Sequence, residues 1–170
     1  MLNTLLSSAN PVVHVTFNDS YVHFNLGNIS MASRLIDERY PDYENVIPTN
    51  NTNKLTIDRV SLLGSLKRIA IYANRTTHQV KLSIAGNELR IFAEDFDFSN
   101  EANEHLPCAY EGNDLEIGFN AKFLVDMLSN LTSEEVEFYL SVPSKAGLIL
   151  PKDQEKEEDL LQLIMPVILK

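Results

Sequence analysis

Leu55-Thr-Ile57 and Leu115-Glu-Ile117 stand 60 positions apart (115 − 55), and each opens the same succession of patterns. Lys54–Asp58 alternates as a short strand. Asp58 is a good helix N-cap, and Leu62, Leu63, Leu66, Ile69 and Ala70 form an apolar stripe over roughly 59–72. Val80, Leu82 and Ile84 alternate, Gly86-Asn87 turns, and Leu89, Ile91 and Ala93 alternate back as a hairpin, with a further strand within 101–110. The second round begins with a strand at Asp114–Phe119 and an N-cap at Asn120. Phe123, Leu124, Met127, Leu128 and Leu131 make its helical stripe. Strands follow at Val136–Leu140, Gly147–Leu150 and Leu160–Leu169, with the charged run 152–159 as a solvated loop. An internal repeat outweighs any single residue in constraining a fold. Here it predicts an α+β domain of two strand–helix–three-strand units over residues 54–170.

The residues before the repeat match part of one unit. Met1, Leu2, Leu5 and Leu6 sit at helical spacing, as Met127-Leu128 do in the second helix. Strands follow: Val13, Val15 and Phe17 on one face, then Val22–Leu26 after the Asn18–Ser20 turn, then Ile29–Ile36. The expectation is an incomplete domain over 1–40 that enters in mid-unit. A linker over 41–53 joins it to the repeat. Pro41 and Pro48 bracket that linker and favour extended chain, and Tyr40, Tyr43, Val46 and Ile47 make it greasy enough to lie against a surface.

Bulk properties narrow the class. No apolar run approaches the roughly 20 residues of a membrane helix, and residues 1–11 lack the basic start of a signal peptide. A single cysteine, Cys108, cannot form an internal disulfide, fits a reducing cytosol and reads as a small strand hydrophobe. The net charge is −10. Taken alone this opposes DNA binding, because phosphate contacts supply most nonspecific affinity, yet the placement of charge matters more than its sum.

Few residues stand in patterns that carry chemistry. There is no phosphate-cradling G-x-x-x-x-G-K and no G-x-S-x-G elbow. Asp95-Phe-Asp97-Phe-Ser-Asn100 begins like a calcium loop, but Asn100 replaces the glycine of the sixth place and Leu106 the acid of the twelfth. His14, His23, His78 and His105 lack zinc spacing, although His14 and His23 could face each other across a hairpin. The expectation is therefore a non-enzyme with no catalytic residues, no metal and no cofactor. An undetected hydrolase would need a polar pocket around His105 or Asp95–Asp97. Two features point to binding. Arg59, Lys67 and Arg68 on one predicted helix and Lys122 on the other could give a positive surface within an acidic protein. The terminal Leu160-Leu-Gln-Leu-Ile-Met-Pro-Val-Ile-Leu-Lys170 is too apolar for a free tail, and Pro166 interrupts its strand pattern near an edge.

These residues together resemble the bacterial DNA polymerase sliding clamp family, the beta subunit of the replicative polymerase. Tyr40-Pro-Asp-Tyr43…Val46-Ile-Pro48 is similar to the junction between the family's second and third domains. Glu116-Ile-Gly-Phe-Asn120 with Asp126-Met-Leu128 resembles the strand and helix of the third domain's second half, and Met165-Pro-Val167 resembles its terminal segment. The resemblance runs over essentially the whole chain. It implies the end of a middle domain at 1–40 and a complete third domain at 54–170.

The resemblance also implies function. Such clamps are head-to-tail dimeric rings, with helices on one face lining the hole and sheets on the other, that enclose duplex DNA without sequence preference and tether the polymerase in the cytoplasm. Arg59, Lys67, Arg68 and Lys122 become the DNA-facing residues. Polymerase and clamp loader subunits insert short peptides into a pocket, whose third-domain side maps to Pro41, Asn45, Val46, Thr77, Asn120, Phe123, Ser144, Ala146, Leu163, Ile164, Met165, Pro166, Val167, Ile168 and Leu169. Asn45 stands where the family often has a basic residue and Thr77 where it can have an aromatic one. The subunit-contact edge maps to Ile71, Tyr72, Glu101 and Glu104. The chain as given carries no first domain, so it is expected not to close a ring by itself. A peptide-binding adaptor that does not encircle DNA is the alternative.

Overall fold

The structure is a computed structural model describing residues 12–169; the helix expected over residues 1–10 lies outside them. The chain divides into two compact units at Asp42/Tyr43.

The first unit holds one antiparallel sheet of β1 (His14–Phe17), β2 (Tyr21–Leu26) and β3 (Ile29–Arg34) in that order. Asn18 Oδ1 accepts from the backbone N–H groups of Ser20 and Tyr21, which closes the first turn. Gly27, at φ +58°, supplies the left-handed residue of the second. The register sets Val15 against Phe24, Phe17 against Val22, Phe24 against Met31 and Leu26 against Ile29, so one face is largely apolar, with Ser33 opposite Val22 as its polar member. Only Leu26 on it is buried, and Phe17 is 79% exposed. His14 pairs with Asn25 and His23 with Thr16. The two imidazoles are therefore diagonal neighbours rather than an opposed pair.

The second unit contains the repeat. β4 (Asn53–Asp58) leads into α1 (Arg59–Ile69) and a 3-10 turn (Ala70–Tyr72), followed by β5 (Gln79–Ala85), β6 (Glu88–Asp95) and β7 (Asn100–Pro107). After β8 (Ala109–Glu111), the second round runs β9 (Leu115–Asn120), α2 (Ala121–Ser129), β10 (Glu135–Leu140), β11 (Gly147–Pro151) and β12 (Gln162–Ile164). The opening strands are exchanged. β4 pairs with β10 of the second round, and β9 pairs with β5 of the first. Two antiparallel sheets result, β12-β11-β10-β4-β8 and β7-β6-β5-β9. Leu55 faces Phe138 and Ile57 faces Val136, while Leu115 faces Ile84 and Ile117 faces Leu82. All are buried in one core shared with Leu62, Leu66 and Ile69 of α1 and Leu124 and Leu128 of α2. Exchange makes the two rounds interdependent, because neither can complete its sheet alone.

Each round ends by crossing between sheets. The single strand expected within 101–110 is two. β7 stops at Pro107, Cys108 donates its backbone N–H to Asn87 O at 3.0 Å, and β8 joins the edge of β4. Partial burial raises the Cys108 thiol pKa, and the side chain packs on the core as a small hydrophobe, although it sits at the crossing between two strands and not within one. The long final strand expected over 160–169 is likewise short. β12 spans three residues, Pro166 offers no N–H, and Val167 then bridges to Gly118 on the other sheet, donating to Gly118 O at 2.9 Å. A Cβ at Gly118 would lie 2.7 Å from Val167 O, so only glycine admits the terminal segment there.

The polar run Thr49–Asn53, read as linker, is partly structural. Asn51 Nδ2 donates to Tyr139 O and Ala146 O, both at 2.9 Å, and Asn53 lies in β4 and donates to Ser141 O. The Asp95–Asn100 stretch is a hairpin turn. Asp95 is buried and its carboxylate accepts from Asp97 N at 3.1 Å and Asn74 Nδ2 at 3.5 Å.

Candidate binding surfaces of the repeat domain

Both helices start on the side-chain caps expected of them. Asp58 accepts from Ser61 N at 2.7 Å, and this bonding with Ser61 lowers its pKa against a small opposing effect of burial. Asn120 Oδ1 accepts from Lys122 N and Phe123 N, while its Nδ2 donates to Thr77 O at 3.1 Å. One side chain thus caps α2 and ties it to the 74–78 loop, where Ala121 N also bonds His78 O.

The cap fixes the azimuth of α2. Ala121, Leu124 and Leu128 turn into the core. Phe123 and Met127 sit one residue back, about 100° round the helix, and form a second apolar row. Phe123, expected in the core stripe, is instead 63% exposed. Opposite this row runs the terminal segment, with Met165 62% exposed. Phe123, Asp126, Met127, Asn130, Gln162, Leu163, Ile164 and Met165 together line a cavity of about 530 Å³. Gln162 Nε2 donates to Met127 O at 3.3 Å, which pins the terminal strand to the end of α2.

Among the residues expected in a peptide pocket, Phe123, Leu163, Ile164 and Met165 converge here, with Ile164 forming buried floor. Asn120 and Thr77 meet at the head of α2. Pro166 and Val167 follow Met165, and Val167 is anchored on Gly118. Leu169 reaches the same glycine, and Ile168 is exposed. Ser144 is exposed, and Ala146 is held through its carbonyl by Asn51; neither lines the cavity. Asn45 and Val46 lie in a 3-10 turn (Tyr43–Val46), also outside it, and Pro41 belongs to the first unit. Asp126, Met127, Asn130 and Gln162 were missed. Helical spacing from Phe123 points to Met127 and Asn130, but nothing local brings Gln162 beside them.

The four expected cations separate into two kinds. Arg59 Nε donates to Ser133 O at 2.7 Å and its Nη1 to Leu128 O at 3.3 Å, so this guanidinium holds the carbonyl end of α2. Arg68 makes a bidentate pair with Glu104 on β7 at 2.7 and 2.5 Å. That contact lowers the Glu104 pKa against the opposing effect of burial, and it raises that of Arg68. Lys67 and Lys122 have no ion-pair partner among the described residues. They flank one shallow groove between α1 and α2, lined also by Ala70, Val125, Asp126 and Ser129. Glu104 is thus tied to a helix, while Glu101 on β7, the outer strand of its sheet, and Ile71 and Tyr72 in the 3-10 turn stay exposed.

Two rounds that exchange first strands, a paired set of helices and a terminal segment bridging both sheets define a sliding-clamp domain. The chain belongs to the family described as DNA polymerase III beta subunit, C-terminal domain, which it matches over residues 44–168. It is 30% identical over 166 residues to the beta sliding clamp of Pseudomonas putida, covering 98% of this chain and 44% of that protein. It is 34% identical to the beta sliding clamp of Rickettsia bellii, covering 94% of this chain and 44% of that protein. Among solved structures, the DNA polymerase III subunit beta of Pseudomonas aeruginosa matches with a TM-score of 0.90 and 30% identity, over 99% of this chain and 45% of that one. A sliding clamp from Bartonella birtlesii bound to griselimycin matches with a TM-score of 0.85 and 31% identity, over 92% of this chain and 41% of that one. The chain spans less than half the length of these relatives.

Proposed function

We propose that this chain serves as part of a non-catalytic processivity factor, and that its repeat domain docks short apolar peptides from polymerase and clamp loader subunits. The observation that carries this reading is the cleft between the Phe123–Met127 row and Met165, held open because Val167 is fastened to Gly118. Exposed apolar side chains on a rigid helix and a tethered segment suit an anchor-in-pocket contact. Asn120 and Thr77 shape one end of the site, and Pro166, Val167, Ile168 and Leu169 continue it. Asn45, Val46, Ser144 and Ala146 are its proposed outer wall.

In the whole protein, the domain would be one segment of a dimeric ring around duplex DNA, with Ile71, Tyr72 and Glu101 on the subunit-contact edge. Lys67 and Lys122 are its duplex-facing cations. Arg59 and Arg68 support the fold instead, since their guanidinium groups are already engaged. Two lysines in an acidic chain give a weak, salt-sensitive contact, which suits a ring that slides. A cytoplasmic location follows from that role; no helix among the described residues is long and apolar enough to cross a membrane.

The test is a pair of titrations on the purified chain, one with a labelled apolar peptide and one with duplex DNA over a salt series. Peptide binding that Met165→Asp abolishes supports docking. Loss of about one unit of salt slope for each of Lys67→Ala and Lys122→Ala supports the duplex contact. Peptide binding with no DNA contact at any salt favours the adaptor reading.

A further inference from the structure

The cleft has an acceptor-rich end that apolar docking leaves unused. Asp126 lies on its rim, one helical turn beyond Lys122, yet its carboxylate forms no ion pair among the described residues. Gln162 lines the same cleft. Its Nε2 is committed to Met127 O, while its Oε1 is buried and has no donor among the described residues. Buried carbonyl oxygens are seldom left without a donor. The last torsion of glutamine is soft, so the amide can turn its oxygen to a group entering the cleft. Asn130, also on the rim, adds an amide whose Nδ2 is taken up by Asp126 O. The apolar end is made by Phe123, Met127, Leu163 and Met165. One groove therefore offers a greasy floor at one end and, at the other, a free carboxylate beside an unmatched acceptor.

From this we infer that the cleft selects peptides in which a cationic, hydrogen-bond-donating side chain flanks the apolar anchors. A lysine or arginine would set its methylenes along Met127 and its charged head on Asp126 and Gln162. An acidic side chain at that place would meet a carboxylate and a carbonyl oxygen. The inference rests on the peptide-docking reading and adds to it a charge rule.

The experiment uses fluorescein-labelled peptides built on the core Leu-Ser-Leu-Phe, with lysine or glutamate added at either end, in fluorescence anisotropy titrations of the purified chain. The lysine form at one end should bind about fivefold more tightly than its glutamate form, the size of a partly exposed charge contact. Asp126→Asn should bring the two within about twofold. Asp114→Asn, which removes an exposed carboxylate on another turn, should leave the ratio unchanged and so separate a local contact from the general field of an acidic protein. Equal affinities for all forms, with Met165→Asp abolishing each, would overturn the charge rule and leave docking intact. A ratio that Asp114→Asn lowers as much as Asp126→Asn would overturn it too. If no peptide binds, the docking reading falls and the charge rule with it.

Discussion

The two rounds of the repeat solve the same problem at their ends and leave different surfaces. In the first, the chain crosses from one sheet to the other through Pro107-Cys108 and lays β8 along β4, with Leu55 against Tyr110 and Thr56 against Ala109. In the second, it crosses through Met165-Pro166 and makes a single bridge at Gly118. A ladder closes an edge, whereas a single bridge leaves side chains on both sides of it uncovered. The second crossing therefore borders a cleft, and the exposed row on α2 faces it. On the proposed reading, the docking site is the incomplete closure of one of two equivalent seams.

Substitutions at matching places in the two rounds separate the two seams. The largest effects belong to the shared core. Ile57→Ala and Ile117→Ala, at matching places in the two rounds, should each lower stability by about 2–5 kcal/mol in chemical denaturation. Strand exchange requires their unfolding transitions to stay single; two separable transitions would mean that the rounds fold independently.

Gly118→Ala comes next. Its Cβ has no room beneath Val167 O, so the terminal segment should lift at about 1–3 kcal/mol, with peptide binding lost while β4–β8 pairing persists in amide exchange. The caps follow. Asp58→Ala should cost about 1 kcal/mol. Asn120→Ala should cost more, because it also removes the bond to Thr77 O; equal losses would show that the Thr77 tie contributes nothing.

The smallest effect concerns the Arg68–Glu104 pair. The folded pKa of Glu104 is depressed, so its contribution is present above the unfolded carboxylate pKa and is lost as pH falls through the folded value. Glu104→Gln should therefore lower Tm slightly at neutral pH and leave it unchanged in acid, as read by thermal melts across pH 3–7, roughly the window in which carboxylates titrate.

Much of this was legible in the sequence for definite reasons. Leu55/Ile57 and Leu115/Ile117 exposed the repeat because both rounds bury the same strand face. Asp58 and Asn120 marked helix starts because capping is a local hydrogen bond. What was hidden is non-local. The sequence cannot show that β4 pairs with β10 rather than within its own round. It gives Arg59, Lys67, Arg68 and Lys122 the same standing, although Ser133 and Leu128 carbonyls claim the first and Glu104 the third. Phe123 reads as core from its spacing to Met127, and only the cap geometry turns it outward. Gln162 carries no signal at all until the last strand is laid beside α2.

The proposed docking site is the cleft between α2 and the terminal segment. Backbone amide shifts of the labelled chain, followed by NMR as an unlabelled Leu-Ser-Leu-Phe peptide is added, test it most directly. A contiguous set of perturbed amides is expected at Phe123, Met127, Leu163 and Met165, with Lys67 and Ala70 on α1 unmoved. Perturbations confined to β7 or to the groove between the helices, or none at saturating peptide, would contradict it.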